Sequence, residues 1–144
     1  MWDAQQRERL AFEESILRKY MSNFQFYNRA GDTFIEGWMT TNAGKSYKIR
    51  VQLPPNYPFE EPDVYIVSPR TLWKYRHQGT INDAGLSHGF HTAPSCNGYV
   101  RICHTKYWSA SDTCLRVLIK VALWLEAYEG HRRTGRRIAD YLTG

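Results

Sequence analysis

Between Phe24 and Pro54 the chain reads "FQFYNRAGDTFIEGWMTTNAGKSYKIRVQLP", with apolar residues recurring at every second position over long stretches. That period places alternate side chains on opposite faces of an extended strand and does not fit a helix. The alternation breaks at Ala30-Gly31-Asp32 and again at Asn42-Ala43-Gly44. Both are turn signals, so three successive antiparallel strands are predicted. "DVYIVSP" (63–69) reads as a fourth strand. The intervening "PPNYPFEEP" (54–62) carries four prolines, which forbid ladder pairing and impose a rigid crossing loop.

The flanks have a different period. In residues 3–22, Leu10, Leu17, Met21 and Phe24 recur at near-helical spacing with Ile16 and Tyr20 beside them, so an amphipathic helix is expected. "SASDTCLRVLIKVALWLEAYEG" (109–130) opens with Ser and Asp cap candidates. It continues with Leu115, Leu118, Ala122 and Leu125 on one face and stops near Gly130, which reads as a core helix. Residues 70–92 show no period and predict a long loop, of the kind that often carries function. The expected fold is α+β: an N-terminal helix, a four-stranded antiparallel meander, an irregular cysteine-bearing segment, a long core helix and a short C-terminal helix. Residues 1–144 form a single domain in this reading.

An apolar fraction of 42% and an aromatic fraction of 15% suit a packed globule rather than a disordered chain. The first twenty residues include Asp3, Arg7, Glu8, Arg9, Glu13 and Glu14, where a secretory leader needs an apolar run, so no leader is expected. The most apolar stretch, Val117–Leu125, contains Lys120 and is too short to span a bilayer. Three cysteines are an odd number, which excludes a complete disulfide framework and suggests a reducing, cytoplasmic setting. Nineteen basic against 14 acidic side chains give a net charge of +5, part of it concentrated in "HRRTGRR" (131–137). Such a run serves a solvated helix end or an acidic partner. The absence of interleaved aromatics argues against nucleic acid.

Chemistry concentrates in "SCNGYVRICHTKYWSAS" (95–111). Cys103 sits in the polar run "RICHTKY", as an accessible thiol does, whereas Cys114 opens an apolar helical face and reads as core. Cys96 lies beside the Asn97-Gly98 turn. In a tight hairpin residue 96 faces residue 99, so a bridge from Cys96 to Cys103 requires a distorted loop. His88, His91, Cys96, Cys103 and His104 supply enough donors for zinc on paper. No Cys-x-x-Cys pair is present, however, and adjacent Cys103 and His104 make an awkward tetrahedral bite.

Three stretches together resemble one family. "YKIRVQLPPNYPFEEPDVYIVSP" is similar to the third strand, Tyr-Pro-Phe loop and fourth strand of ubiquitin-conjugating enzymes. "NGYVRIC" resembles the turn and Ile-Cys that carry their active-site cysteine, and "WSASDTCLRVLIKVALWL" their Trp-Ser-Pro segment and following helix. The likeness spans roughly residues 5–130 and implies a UBC-like fold with a cis Tyr57-Pro58 bond. It also implies acyl relay, in which Cys103 accepts a protein C-terminus as a thioester and passes it to an amine. No cofactor or metal is implied. The implied partners are an activating enzyme or a cGAS-like nucleotidyltransferase, a ubiquitin-like or other protein C-terminus as acyl donor, and an amine acceptor. The first helix, with Arg7, Arg9, Arg18 and Lys19, is the implied docking face for the activating enzyme.

The departures from the family pattern resemble those of its divergent bacterial members. Where the family has His-Pro-Asn, this chain has His91-Thr92-Ala93, so its usual asparagine is missing. Such features resemble conjugating-enzyme-like proteins of anti-phage defence operons, including those of CBASS systems. His91 and His104 are then candidates to support the oxyanion or transfer a proton. Asp112 or Glu129 is a candidate carboxylate for the attacking amine, and Trp108 and Asp112 belong to the active-site loop. Trp108 is expected to pack that loop onto the helix, and Tyr57 and Phe59 to act as core anchors. The competing readings are a non-catalytic module of the same fold, a zinc site, and a thiol redox protein using Cys96 and Cys103.

Overall fold

The computed structural model describes residues 1–142; Thr143 and Gly144, the end of the predicted domain, lie outside the described residues. The first helix, α1 (Ala4–Tyr20), begins with a capping box in which the Asp3 carboxylate accepts from the Gln6 N–H and the Gln6 amide oxygen accepts from the Asp3 N–H. It leads into strands β1 (Gln25–Tyr27), β2 (Phe34–Thr40), β3 (Ser46–Gln52) and β4 (Asp63–Ser68), the predicted meander, paired in register from Gln25↔Glu36 through Gln52↔Asp63.

The sheet does not stop at four strands. Thr92–Cys96 (β5) and Tyr99–Ile102 (β6) form a hairpin whose inner strand β6 pairs with β4, giving the order β1-β2-β3-β4-β6-β5. β5 is the outermost strand and contains Pro94, a residue without an N–H that only an edge tolerates. The hairpin turns at Asn97-Gly98, both in left-handed conformations (φ 53° and 80°).

Alternate residues along β3, β4 and β6 are buried, among them Ile49, Val51, Val64, Ile66, Val100 and Ile102. They form one core with Val117, Leu118, Val121, Trp124 and Leu125 of α2 (Cys114–Thr134). This helix is capped by Thr113 rather than by the expected Ser or Asp. It runs through Gly130 to Gly135, which takes the left-handed cap (φ 80°). A short α3 (Ile138–Tyr141) buries Ile138.

The segment 70–92 is tied down more closely than its lack of period suggests. Leu72 and Ile81 are buried, and two short 3-10 turns span Tyr75–His77 and Ile81–Ala84. Asn82 stitches the segment to the hairpin: its amide donates to the Arg70 and Gly98 carbonyls (2.7 and 2.8 Å) and its oxygen accepts from the Leu72 N–H. From α2, Trp124 donates to the Phe90 carbonyl and Tyr128 to that of Trp73. Asn82, Trp124 and Tyr128 thus supply hydrogen bonds that the loop backbone does not provide for itself.

Candidate active site

Cys103 follows the last residue of β6, where the strand emerges from the sheet. Its N–H donates to the His91 carbonyl (2.9 Å), which extends the hairpin by one rung and fixes the backbone while the side chain stays exposed. The thiol lines a cleft of about 170 Å³ shared with Glu61, Asp63, Arg101 and His104. Partial burial pushes the Cys103 thiol above its usual range, and the nearby Glu61 carboxylate adds to this, against the opposing pull of Arg101. The resting sulfur is therefore a protonated thiol at neutral pH.

Arg101 stands two residues before Cys103 on the same strand face. One guanidinium nitrogen lies 3.7 Å from an Asp63 carboxylate oxygen, while its Nε is buried without a hydrogen-bond partner. Sequence reasoning missed Arg101, Glu61 and Asp63. The available signal was the strand period, which puts residues 101 and 103 on one face and the antiparallel partner's end beside them.

The two histidines have different situations. His104 is turned toward the proline-rich loop: its Nε2–H donates to the Pro62 carbonyl (2.7 Å) and the ring stands edge-on to Trp108. That bond keeps a proton on Nε2 and orients the ring toward the loop. His91 adopts a positive φ (51°) and is half-buried. Burial, with Lys106 and His88 nearby, pushes its imidazole below the ordinary range and keeps it neutral.

Other expectations are corrected. Trp108, expected to pack its loop onto the helix, ties the loop after Cys103 to the proline-rich loop: its indole donates to the Pro58 carbonyl (2.7 Å) beside the Tyr57 ring. The Asp112 carboxylate is occupied, accepting from the Ser109 N–H (3.0 Å) and pairing with Arg116 (3.3 Å), so it shapes the turn into α2. Glu129 lies at the other end of the sheet, accepting from the Tyr47 hydroxyl (2.7 Å) at the start of β3. Tyr57 is buried, as expected, and its bond to Pro58 is cis; Phe59 is 79% exposed and anchors nothing in the core. Arg9, expected on an exposed face, turns inward and donates to the Ala110 and Asp112 carbonyls, both at 2.5 Å.

The three thiols separate by environment. Cys114 is fully buried, its thiol pushed well above the usual range by burial and by Glu13. Cys96 is exposed and faces Tyr99 across the hairpin turn. Cys103 lies four residues further along the partner strand, on the order of 13 Å at strand rise. A disulfide needs Cα atoms within about 7 Å, so Cys96 and Cys103 cannot bridge without remodelling the hairpin. Among the described residues, no three His, Cys, Asp or Glu side chains gather where they would hold a metal ion, and no helix is long and apolar enough to cross a membrane. No family model, curated protein or solved structure matches this chain.

Proposed function

We propose that the protein is a ubiquitin-conjugating-enzyme-like acyl carrier that forms a thioester on Cys103. The observation carrying this reading is an exposed thiol fixed by its own backbone bond at the mouth of a narrow cleft. A second exposed thiol stands too far away to quench it. The cleft is well below the roughly 300–1,000 Å³ typical of small-molecule sites, which favours an extended chain end. The donor is the C-terminus of a ubiquitin-like protein or of a cGAS-like nucleotidyltransferase, in a bacterial antiviral setting by the sequence resemblance.

In this mechanism the Cys103 thiol loses its proton as it attacks the carbonyl carbon of the donor's activated thioester, and the activating enzyme's sulfur leaves and takes up a proton in turn. An amine then attacks the new thioester; the Cys103 sulfur departs and the amine loses a proton to a base. Arg101 is the donor best disposed to meet the oxyanion in place of the missing asparagine. Its guanidinium lines the cleft with the thiol, and a charge-assisted bond gains strength as negative charge develops. Glu61 and Asp63 are the carboxylates at the cleft able to take the amine's proton. His104, bound to Pro62, supports the loop.

The test mixes the protein with its operon-encoded activating enzyme and candidate donor, followed by non-reducing electrophoresis. A higher-mass adduct cleaved by thiol reductant and absent from Cys103→Ala is expected, with a reductant-resistant ester or no adduct from Cys103→Ser. A thiol-sensitive adduct that survives in Cys103→Ser overturns the assignment. Arg101→Met should discharge to amine about a hundredfold more slowly or worse, as loss of an oxyanion donor implies.

A further inference from the structure

A second concavity lies at the opposite end of β4 from Cys103. The β2–β3 turn, residues 69–73 and the last turns of α2 enclose about 620 Å³, within the size range of small-molecule sites. Lys45, Arg132 and Arg133 line it, and none of the three forms an ion pair among the described residues. Seven other arginines pair with carboxylates, while Arg7, Arg70, Arg76 and Arg136 form no ion pair among the described residues; Lys45, Arg132 and Arg133 differ in lining one concavity together. Complementing the helix macrodipole explains cations in the last turn of α2, but Lys45 arrives from a separate turn.

The aromatic partner that the arginine run lacks in sequence is supplied by the fold. Trp73 lines the same groove and is 41% exposed, with one face of its ring stacked on His77 (centroids 4.8 Å apart, 25° between planes). Its backbone is fixed by the Tyr128 hydroxyl, which donates to the Trp73 carbonyl (2.8 Å) and receives a bond from Arg132 (3.3 Å). Glu129 lines the groove as well. It is 5% exposed, and its carboxylate accepts from the Tyr47 hydroxyl.

We propose that this groove binds a nucleotide, with phosphates on Lys45, Arg132 and Arg133 and the base against Trp73. The charges set the polarity of binding. Lys45 and Arg133 are exposed at the rim, whereas the Glu129 carboxylate is buried and repels phosphate while offering an acceptor to a base amino group. An extended acidic peptide needs cations spaced along a track; here they surround a concavity with an aromatic wall. The site is independent of the Cys103 reading.

The test is calorimetric titration of the full chain with ADP, adenosine, tripolyphosphate and hexaglutamate. ADP should bind more tightly than either adenosine or tripolyphosphate. Arg132→Ala/Arg133→Ala should weaken ADP at least about tenfold, the loss expected for charge-assisted bonds. Trp73→Leu should weaken ADP several-fold, as loss of base stacking does, while leaving tripolyphosphate unchanged. The exposed Arg133→Glu variant, with an unaltered melting temperature, should weaken ADP at least as much as the alanine pair. Tripolyphosphate binding as tightly as ADP with no effect of Trp73→Leu overturns the nucleotide assignment, as does hexaglutamate binding where ADP does not. Failure of all four probes to bind overturns the site itself.

Discussion

Glu13 gives the most direct test of how the proline-rich loop is held to the two long helices. It sits mid-helix in α1 with no exposed surface, and its carboxylate accepts from the Tyr57 hydroxyl, the Cys114 N–H (3.2 and 3.3 Å to its two oxygens) and Arg9 Nε (3.4 Å). One carboxylate thereby joins α1, the proline-rich loop and the first turn of α2. Glu13→Ala leaves three donors without their partner, among them a guanidinium whose side chain is only 19% exposed. Breaking a buried ion pair from one side costs about 3–5 kcal/mol. A domain of this length has roughly 7–20 kcal/mol of stability, so the variant should still fold. At a urea m-value of about 2 kcal/mol/M, the midpoint should fall by about 1.5–2.5 M. Tyr57→Phe removes one bond to the carboxylate and should cost about 1.5–3 kcal/mol. Together the two should cost less than their sum by at least about 0.5 kcal/mol, because phenylalanine removes a donor that Glu13→Ala would strand. A midpoint shift for Glu13→Ala below about 0.5 M at unchanged m, or strictly additive costs, refutes the network.

Thiol titration with a chromogenic disulfide should register Cys96 and Cys103 in the native protein and Cys114 only after unfolding; a third native equivalent contradicts the packing of α2. Alkylation of Cys103, followed in a Cys96→Ala background, should begin at a more alkaline pH than for a free thiol, because burial and Glu61 disfavour the thiolate. Glu61→Gln should lower that onset and speed alkylation at neutral pH by up to about fivefold, the strength of an exposed charge pair, while Arg101→Met moves the onset upward. Identical profiles for the three proteins remove both charges from the cleft. His104→Ala should cost about 0.5–1.5 kcal/mol in urea unfolding through the lost bond to Pro62 yet leave Cys103 reactive; a dead thiol in a folded protein assigns His104 to the chemistry.

The meander was legible because each of its strands has one dry face, so the period survives in the letters from Phe24 to Pro54. The β5–β6 hairpin was not. Four of the five β5 residues are wholly or partly exposed and one is proline, which leaves Asn97-Gly98 as its only signal. Cys103 could be singled out because its neighbours are polar. Asp112 and Glu129 were misjudged because a carboxylate's letter does not say which donor has already claimed it, and Phe59 because an apolar letter beside a buried tyrosine still leaves its direction open. Glu13 counts in the sequence only as one of the charges that argue against a leader, since its partners lie 44 and 101 residues away. Contacts that distant follow from the assembled fold and from no local pattern.

The sheet's two margins carry a consequence for crowding. One ends in three residues and the other is interrupted by a ring that has no hydrogen to donate. Neither offers a continuous row of free amides on which a neighbouring backbone would align, so concentrated solutions should stay dispersed instead of growing strand by strand into fibres.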